Sequence, residues 1–239
     1  MSSANLPDAL ATGSPEEIAP LAPGRISTGM KWLDVILRGG IPENRVYLMT
    51  GDPGTGKTTL SLQFLMEGVR NGEKALYVTL AETREELQGV ADSHGWDLSG
   101  VEVFEVAAAE QGRPEQDYTA LYPGEVELGE SLEKITAIVE RVRPKRVVID
   151  SLTEIRLLAR EQVRYRRQII ALKNFLMTCG CTVYFVDDPA SRGGADGQLQ
   201  TICHGVISME RMAPEYGRER RRMQVLKMRG VEYYGGYHD

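Results

Sequence analysis

The sequence has few of the residues that mark disulfide-rich, membrane or metal-binding proteins. Its three cysteines (Cys179, Cys181 and Cys203) among 239 residues are too few for a disulfide framework, and Cys179-x-Cys181 lacks metal-site spacing. No apolar run approaches the ~18 residues of a transmembrane helix, and the N-terminus has neither the basic start nor the apolar core of a secretory signal. The three histidines are scattered along the chain. We therefore expect a cytoplasmic protein with reduced thiols and no membrane contact.

Acidic residues also outnumber basic ones. The 28 basic and 34 acidic residues leave a net charge of -6, which argues against a nucleic-acid footprint over the whole surface. Basic residues cluster locally at 164–167 and 218–222. Each cluster is more simply explained as a solvated face or a subunit contact, and a phosphate-tracking patch is the alternative.

Strand and helix patterns alternate from Arg25 onwards. Apolar runs predict strands over 45–50, 74–80, 101–106, 146–149 and 182–186, and helical spacing predicts helices over 57–70, 83–94, 125–142 and 161–178. Residues 205–212 and 221–228 predict a closing hairpin. This order predicts an α/β fold with a mostly parallel twisted sheet, helices on both faces and a C-terminal antiparallel hairpin.

Two segments fall outside this regular pattern. Residues 1–24 contain four prolines and few large apolar residues, which predicts a flexible or loosely docked arm before a domain over residues 25–239. The segment Ser191–Gln200 is rich in glycine, which predicts a mobile loop.

A glycine-rich loop separates the first long strand from the first long helix. It reads Gly51-Asp52-Pro53-Gly54-Thr55-Gly56-Lys57-Thr58 and fits the phosphate-loop pattern G-x-x-x-x-G-K-S/T. Glycine lets the backbone wrap a phosphate, so that main-chain N–H groups point at the anion. Lys57 is expected to reach the β- and γ-phosphates, and the Thr58 hydroxyl to bind Mg²⁺. The loop therefore predicts ATP and Mg²⁺ as ligands.

A carboxylate that accompanies the phosphate loop is predicted where the strand Val147-Val148-Ile149 ends in Asp150. A buried strand of an open α/β sheet delivers such a side chain to the edge where ligands gather. We expect Asp150 to hold the Mg²⁺ shell through water, as a Walker B aspartate does. Thr58 and Asp150 are thus the predicted metal residues.

Several further motifs follow one another in an order that resembles a known family. They are Arg25-Ile26-Ser27-Thr28-Gly29, Leu33-Asp34, Gly39-Gly40-Ile41-Pro42, the phosphate loop, Tyr77-Val78-Thr79-Leu80-Ala81-Glu82-Thr83, Ser93-x-Gly95-Trp96, Ile149-Asp150-Ser151-Leu152 and Lys227-Met228-Arg229-Gly230. Together they resemble the KaiC-like branch of the RecA-type P-loop ATPases over residues 25–239. The resemblance implies a RecA-like core, ATP hydrolysis, some autokinase activity and hexameric rings with nucleotide at subunit interfaces.

The resemblance also implies roles for individual residues. Phosphate contacts are implied for Gly54, Thr55, Gly56, Lys57, Thr58 and Thr59, and a place near the adenine for Ser93. Lys227, Met228 and Arg229 would meet a neighbour's nucleotide, with Lys227 and Arg229 neutralising charge at its γ-phosphate. Lys227 and Arg229 alternate on a predicted strand, so they are expected to share one face.

One position departs from the family. Its members carry two adjacent carboxylates after the second strand, the first of which polarises the attacking water, whereas this chain has Ala81-Glu82. Neighbouring side chains of an extended segment point in different directions. Either Glu82 acts as the catalytic carboxylate, or hydrolysis is slow and Glu82 is a charge at a helix entry.

Three functions follow from these patterns. The first is a ring-forming ATPase that acts as a signalling or clock-type switch, read by a KaiB-like or other signalling partner, with Thr201 as a candidate autophosphorylation site. The second is a RecA-type repair protein that uses Ser191–Gln200 as a DNA loop, but that loop offers only Arg192 and no aromatic residue for stacking. The third is a nucleotide-binding scaffold with little turnover.

Overall fold

The fold is taken from a computed structural model, which describes residues 20–106, 123–159, 161–188, 196–213 and 216–239. The predictions for residues 1–19 and for 191–195 lie outside these residues. Strands β1 (Arg25–Ile26) and β2 (Ile41–Pro42) form a small antiparallel pair. The remaining described strands form one sheet: β3 (Val46–Gly51), β4 (Ala75–Thr79), β5 (Val101–Glu105), β6 (Arg146–Asp150), β7 (Thr182–Asp187), β8 (Gly205–Met212), β9 (Arg220–Met228) and β10 (Tyr237–His238).

The strand order in this sheet is β10-β9-β8-β3-β7-β6-β4-β5. Strands β8, β3, β7, β6, β4 and β5 run parallel, whereas β9 and β10 are antiparallel to their neighbours. The mostly parallel sheet with a C-terminal antiparallel hairpin is therefore confirmed. The carboxyl ends of the parallel strands meet at one edge, which fixes where a site can form.

The helices connect the strands and cover both faces of the sheet. Their bounds are α1 (Lys31–Ile36), α2 (Lys57–Arg70), α3 (Arg84–Ser93), α4 (Pro123–Val142), α5 (Leu152–Leu158), α6 (Gln162–Thr178) and α7 (Asp196–Ile202). Successive side chains of a strand point to opposite faces. On β3, Tyr47 and Met49 accordingly pack in the cluster that contains α2 and α3, and Val46 and Leu48 in the cluster that contains α4, α5 and α6.

Local sequence signals account for the ends of two helices. Helix α3 begins with a capping box, in which the Thr83 hydroxyl accepts from the Glu86 backbone N–H and the Glu86 carboxylate accepts from the Thr83 N–H. Helix α2 ends at Arg70, and Gly72 follows in the left-handed region at φ 75°. None of the described helices is both long and apolar enough to cross a bilayer.

The prediction of a mobile loop over Ser191–Gln200 is wrong for residues 196–200, which belong to α7. Leu199 and Ile202 are buried against the core, and the free energy gained by this burial offsets the cost of ordering a glycine-rich segment. The carbonyls at the end of α7 are also held by cations, since Lys173 donates to Ile202 O at 2.8 Å and Arg229 to Thr201 O at 2.8 Å.

Candidate functional site

The glycine-rich loop joins the fully buried strand β3 to helix α2. Gly54 and Gly56 have φ angles of 81° and 101°, which glycine adopts without a Cβ clash. The Lys57 Nζ donates to Gly51 O at 2.6 Å and to Asp52 O at 3.1 Å, so the lysine folds back over the loop. The loop therefore forms a closed cradle at the start of a fourteen-residue helix, a geometry suited to a phosphate.

Three carboxylates gather around Lys57 at the carboxyl edge of the sheet. Asp150 ends β6, Glu82 follows β4, and Asp188 follows β7. Asp188 Oδ1 lies 2.6 Å from Lys57 Nζ. The turn after β4 is fixed because the Thr79 hydroxyl donates to Glu82 O at 2.7 Å.

The electrostatics of this cluster favour a further cation. Burial raises the pKa of Asp150, with Asp188 adding to the effect and the hydrogen bond from Tyr77 and the charge of Lys57 opposing it. Burial, followed by the charges of Asp150 and Glu86, raises the pKa of Glu82 to about 7. Carboxylate and hydroxyl oxygens are the ligands that Mg²⁺ prefers, and Asp150 and Thr58 supply them. The residues present therefore fit a Mg²⁺ ion.

Tyr77 lies beside the two predicted metal residues. Its side chain is fully buried on β4, and its hydroxyl donates to Asp150 Oδ2 at 2.6 Å. The Thr58 side chain lies near this hydroxyl. The sequence analysis placed Tyr77 in a motif but gave it no role.

A cavity of about 260 Å³ opens beside the phosphate loop. Thr55, Gly56 and Thr59 form one wall. Residues at the start of α1, on β8 and β9, and at the C-terminus form the others, including Met30, Trp32, Met209, Arg221, Met223, His238 and Asp239. A Cβ atom at Gly56 would lie 3.8 Å from Arg221 Nη1, and one at Gly54 would lie 3.6 Å from Arg211 Nη1. The hairpin thus brings two guanidinium groups to the loop, and both interpretations of the basic cluster at 218–222 stay predictions.

Lys227 and Arg229 lie at the opposite edge of the sheet. On the sheet, Lys227 pairs with Val206 of β8, and Val206 pairs with Leu48 of β3. The Arg229 N–H donates to His204 O, and the His204 N–H donates to Val46 O at the start of β3. Arg229 is thus level with the start of β3, about 16 Å along the strand from Gly51 at ~3.3 Å per residue. Within one chain these cations do not meet the phosphate loop.

Lys227 and Arg229 both reach the end of α7. Lys227 Nζ donates to Gln200 O at 2.5 Å and Cys203 O at 2.8 Å, next to the contact of Arg229 with Thr201 O. This agrees with their placement on one face. Met228 between them buries its side chain in the core, so only its backbone could face a nucleotide.

Ser93 does not line the cavity beside the phosphate loop. Ser93 is the last residue of α3, about 14 Å along the helix from its start beside Glu82, and its hydroxyl donates to Val90 O at 2.7 Å. Its place beside an adenine stays a prediction that rests on the resemblance. Thr59, by contrast, lines the cavity beside the loop.

Comparisons with known proteins agree with this geometry. The family model described as the KaiC ATPase matches residues 26–238. The chain belongs to the KaiC ATPase family. A UPF0273 protein of Pyrococcus horikoshii is 32% identical over 217 residues, which are 87% of each chain. The circadian clock oscillator protein KaiC of Prochlorococcus marinus is 31% identical over 219 residues, which are 89% of this chain but 42% of that protein.

A solved structure supports the same fold assignment. The KaiC-like protein of Pyrococcus horikoshii superposes with a TM-score of 0.72 at 25% identity, covering 91% of this chain and 94% of that one. The RecA-like α/β fold that the sequence predicts is thereby confirmed. Family membership also supports ATPase chemistry as a class, with nucleotide as ligand.

The sequence analysis gave no individual role to four residues near the loop: Tyr77, Asp188, Arg211 and Arg221. Asp188 carried a signal, because it comes directly after the buried strand β7. Tyr77 carried a weaker one, as a polar-tipped side chain inside an apolar strand. The two arginines depend on the twist and register of the hairpin, which composition does not reveal.

Proposed function

We propose that this protein binds Mg·ATP at Gly51–Thr58 and hydrolyses it slowly, as a homo-oligomeric ring that serves as a cytoplasmic signalling or clock-type switch. The observation that carries the proposal is the meeting of Lys57, Glu82 and Asp150 at one edge of the sheet, on a phosphate loop of a KaiC-family domain. The number of six subunits in the ring is taken from the family resemblance.

The residues of the loop bind and orient the triphosphate. Main-chain N–H groups from Gly54 to Thr58 face the phosphates, and Lys57 exchanges its contact with Asp188 for the β- and γ-phosphate oxygens. Thr58 and Asp150 would hold Mg²⁺, which supplies charge neutralisation at those oxygens. The cavity beside the loop, with its methionine walls, takes the nucleoside.

Glu82 is the group that orients and deprotonates the attacking water. A general base works best when its pKa lies near the operating pH, and about 7 meets that condition. Ala81 offers no second carboxylate, so Glu82 alone must both orient and deprotonate the water. Slow turnover follows from this substitution.

Oligomer formation follows from the position of Lys227 and Arg229. Arg229 is level with the start of β3, about 16 Å along the strand from its own phosphate loop, and Lys227 is level with Leu48, about 10 Å from it, so only the nucleotide of a neighbouring subunit is available to them. Cations supplied in trans neutralise charge that develops on the transferred phosphoryl group. Hydrolysis should therefore require the assembled ring, and a partner protein such as a KaiB-like one would read its state.

The test combines mass in solution with phosphate release, each with and without Mg·ATP. We expect Mg·ATP to favour the oligomer, the wild-type oligomer to release phosphate, and Lys57→Ala to release none. A monomer that hydrolyses ATP as fast as the oligomer would refute the trans model. Nucleotide binding with no phosphate release would identify a scaffold instead.

Two further readouts use the same samples. Salt-dependent binding to single-stranded DNA would favour the RecA-type alternative, which the net charge of -6 opposes. Phosphopeptide mass spectrometry tests autokinase activity at Thr201, whose hydroxyl lies 3.3 Å from Arg166 Nη1. An unmodified Thr201 at full ATP occupancy would exclude it as the acceptor.

A further inference from the structure

Tyr77 carries a buried hydroxyl between two parts of the proposed metal site. It lies on β4, next to β6, with Tyr77 opposite Val148 and Thr79 opposite Asp150. Its ring is fully buried, and its hydroxyl reaches two residues along β6 to Asp150 Oδ2 at 2.6 Å. The side chain of Thr58, at the start of α2, lies near the same hydroxyl. One phenol thus links β4 to β6 beside the phosphate loop.

The direction of this hydrogen bond is set by charge. A tyrosine hydroxyl is neutral near neutral pH and has one proton to donate. That proton goes to Asp150 Oδ2, because a carboxylate is the stronger acceptor and such charge-assisted bonds are short.

We propose that Tyr77 is a positioning residue for the magnesium site, because its hydrogen bond holds the Asp150 carboxylate in one orientation beside Thr58. With Oδ2 engaged by Tyr77, Oδ1 is the oxygen that Asp150 would offer to the Mg²⁺ shell. The inference rests on the proposed Mg·ATP site and adds to it a residue that touches neither metal nor phosphate.

Another tyrosine of the same sheet shows that burial alone does not explain this contact. Tyr184 on β7 is also fully buried and stacks on Phe64 with ring centroids 4.0 Å apart. Its hydroxyl has no hydrogen-bond partner among the described residues. Tyr184→Phe therefore removes a buried hydroxyl with no link to the site, and it is a matched control for Tyr77→Phe.

The test measures binding rather than turnover. ADP binding to Tyr77→Phe, Tyr184→Phe and the wild type is followed by calorimetry, first in EDTA and then over a Mg²⁺ titration. Loss of an outer-shell partner typically weakens metal binding by about 10- to 100-fold. We expect Tyr77→Phe to need about tenfold more Mg²⁺ for half-maximal enhancement of ADP binding, with its affinity in EDTA within about twofold of wild type. Tyr184→Phe should match the wild type in both.

The outcomes separate this inference from the function on which it rests. An unchanged Mg²⁺ requirement in Tyr77→Phe, or an equal change in both variants, overturns the positioning role while leaving the nucleotide site intact. Failure of the wild type to bind ADP under any condition overturns the proposed function itself. If Tyr77→Phe does not fold, wild-type protein labelled at tyrosine Cζ gives a second measurement. A tyrosine signal should then shift when Mg²⁺ is added to the ADP-bound protein, and the absence of any shift overturns the proposal.

Discussion

Glu82 allows a quantitative prediction about how hydrolysis depends on pH. Burial and the nearby charges of Asp150 and Glu86 raise its pKa to about 7, from an ordinary value of 4.5. A base must be ionised to accept a proton, so activity should rise as the pH increases through this value. With an unshifted pKa, Glu82 would be fully ionised above pH 6 and the profile would be flat.

The size of the effect follows from the fraction of Glu82 that is ionised. With a pKa of about 7, roughly one-tenth is ionised at pH 6 and roughly nine-tenths at pH 8. We therefore expect kcat/KM for ATP hydrolysis, which reports the free enzyme, to rise about tenfold between pH 6 and pH 8. Phosphate release at limiting ATP with excess Mg²⁺ measures it.

Glu82→Gln is the control for this profile. It keeps the shape of the side chain, removes the titrating group, and should lower kcat by about 10²-fold or more, as expected for a lost general base. The slope near pH 7 should disappear with it, and any slope that persists belongs to the nucleotide or to other groups. If Glu82→Gln hydrolyses ATP at the wild-type rate with the wild-type profile, Glu82 is not the base.

Two further predictions concern the subunit contact and the core. Arg229→Ala should lower turnover by about 10³-fold, as for a lost arginine finger. Mixing Arg229→Ala with Lys57→Ala subunits should restore part of the activity, because one variant keeps the phosphate loop and the other keeps Arg229. No recovery at any mixing ratio would contradict action in trans. Glu73→Ala should lower the free energy of unfolding by about 3 kcal/mol in urea denaturation, because it removes the carboxylate paired with Arg146, whose side chain is 1% exposed. The comparison is Glu67→Ala, which removes a pair with an exposed arginine and should cost less than about 1 kcal/mol; equal losses would contradict the argument from burial.

The long elements of the fold were predictable because local and tertiary preferences agree in them. Helix α2 was predicted with its observed bounds, since apolar spacing, the phosphate loop before it and Gly72 after it all favour the same ends. Short elements were missed. Helix α7 has seven residues in a glycine-rich segment and is stabilised by burial of Leu199 and by cations from distant positions. Such contacts are absent from any local window of sequence.

The candidate site shows the same difference between residues fixed by local motifs and residues that depend on distant contacts. Lys57 and Asp150 were predictable because each belongs to a motif that directly follows or ends a buried strand, and the structure places both at one edge. The contact between Tyr77 and Asp150 was not, since the two residues are 73 positions apart and meet only through the pairing of β4 with β6. The pKa of Glu82 likewise depends on burial and on neighbours brought together by folding.

Strand β3 has a mechanical consequence for assembly. It is buried along its whole length and carries the phosphate loop at its carboxyl end. At its other end, main-chain hydrogen bonds through His204 join it to Arg229. In the proposed ring, the spacing between the phosphate loop of a subunit and the backbone of its Arg229 would therefore be set by this buried strand. A change in the position of that backbone relative to a neighbour's nucleotide would then come from tilting of the whole subunit.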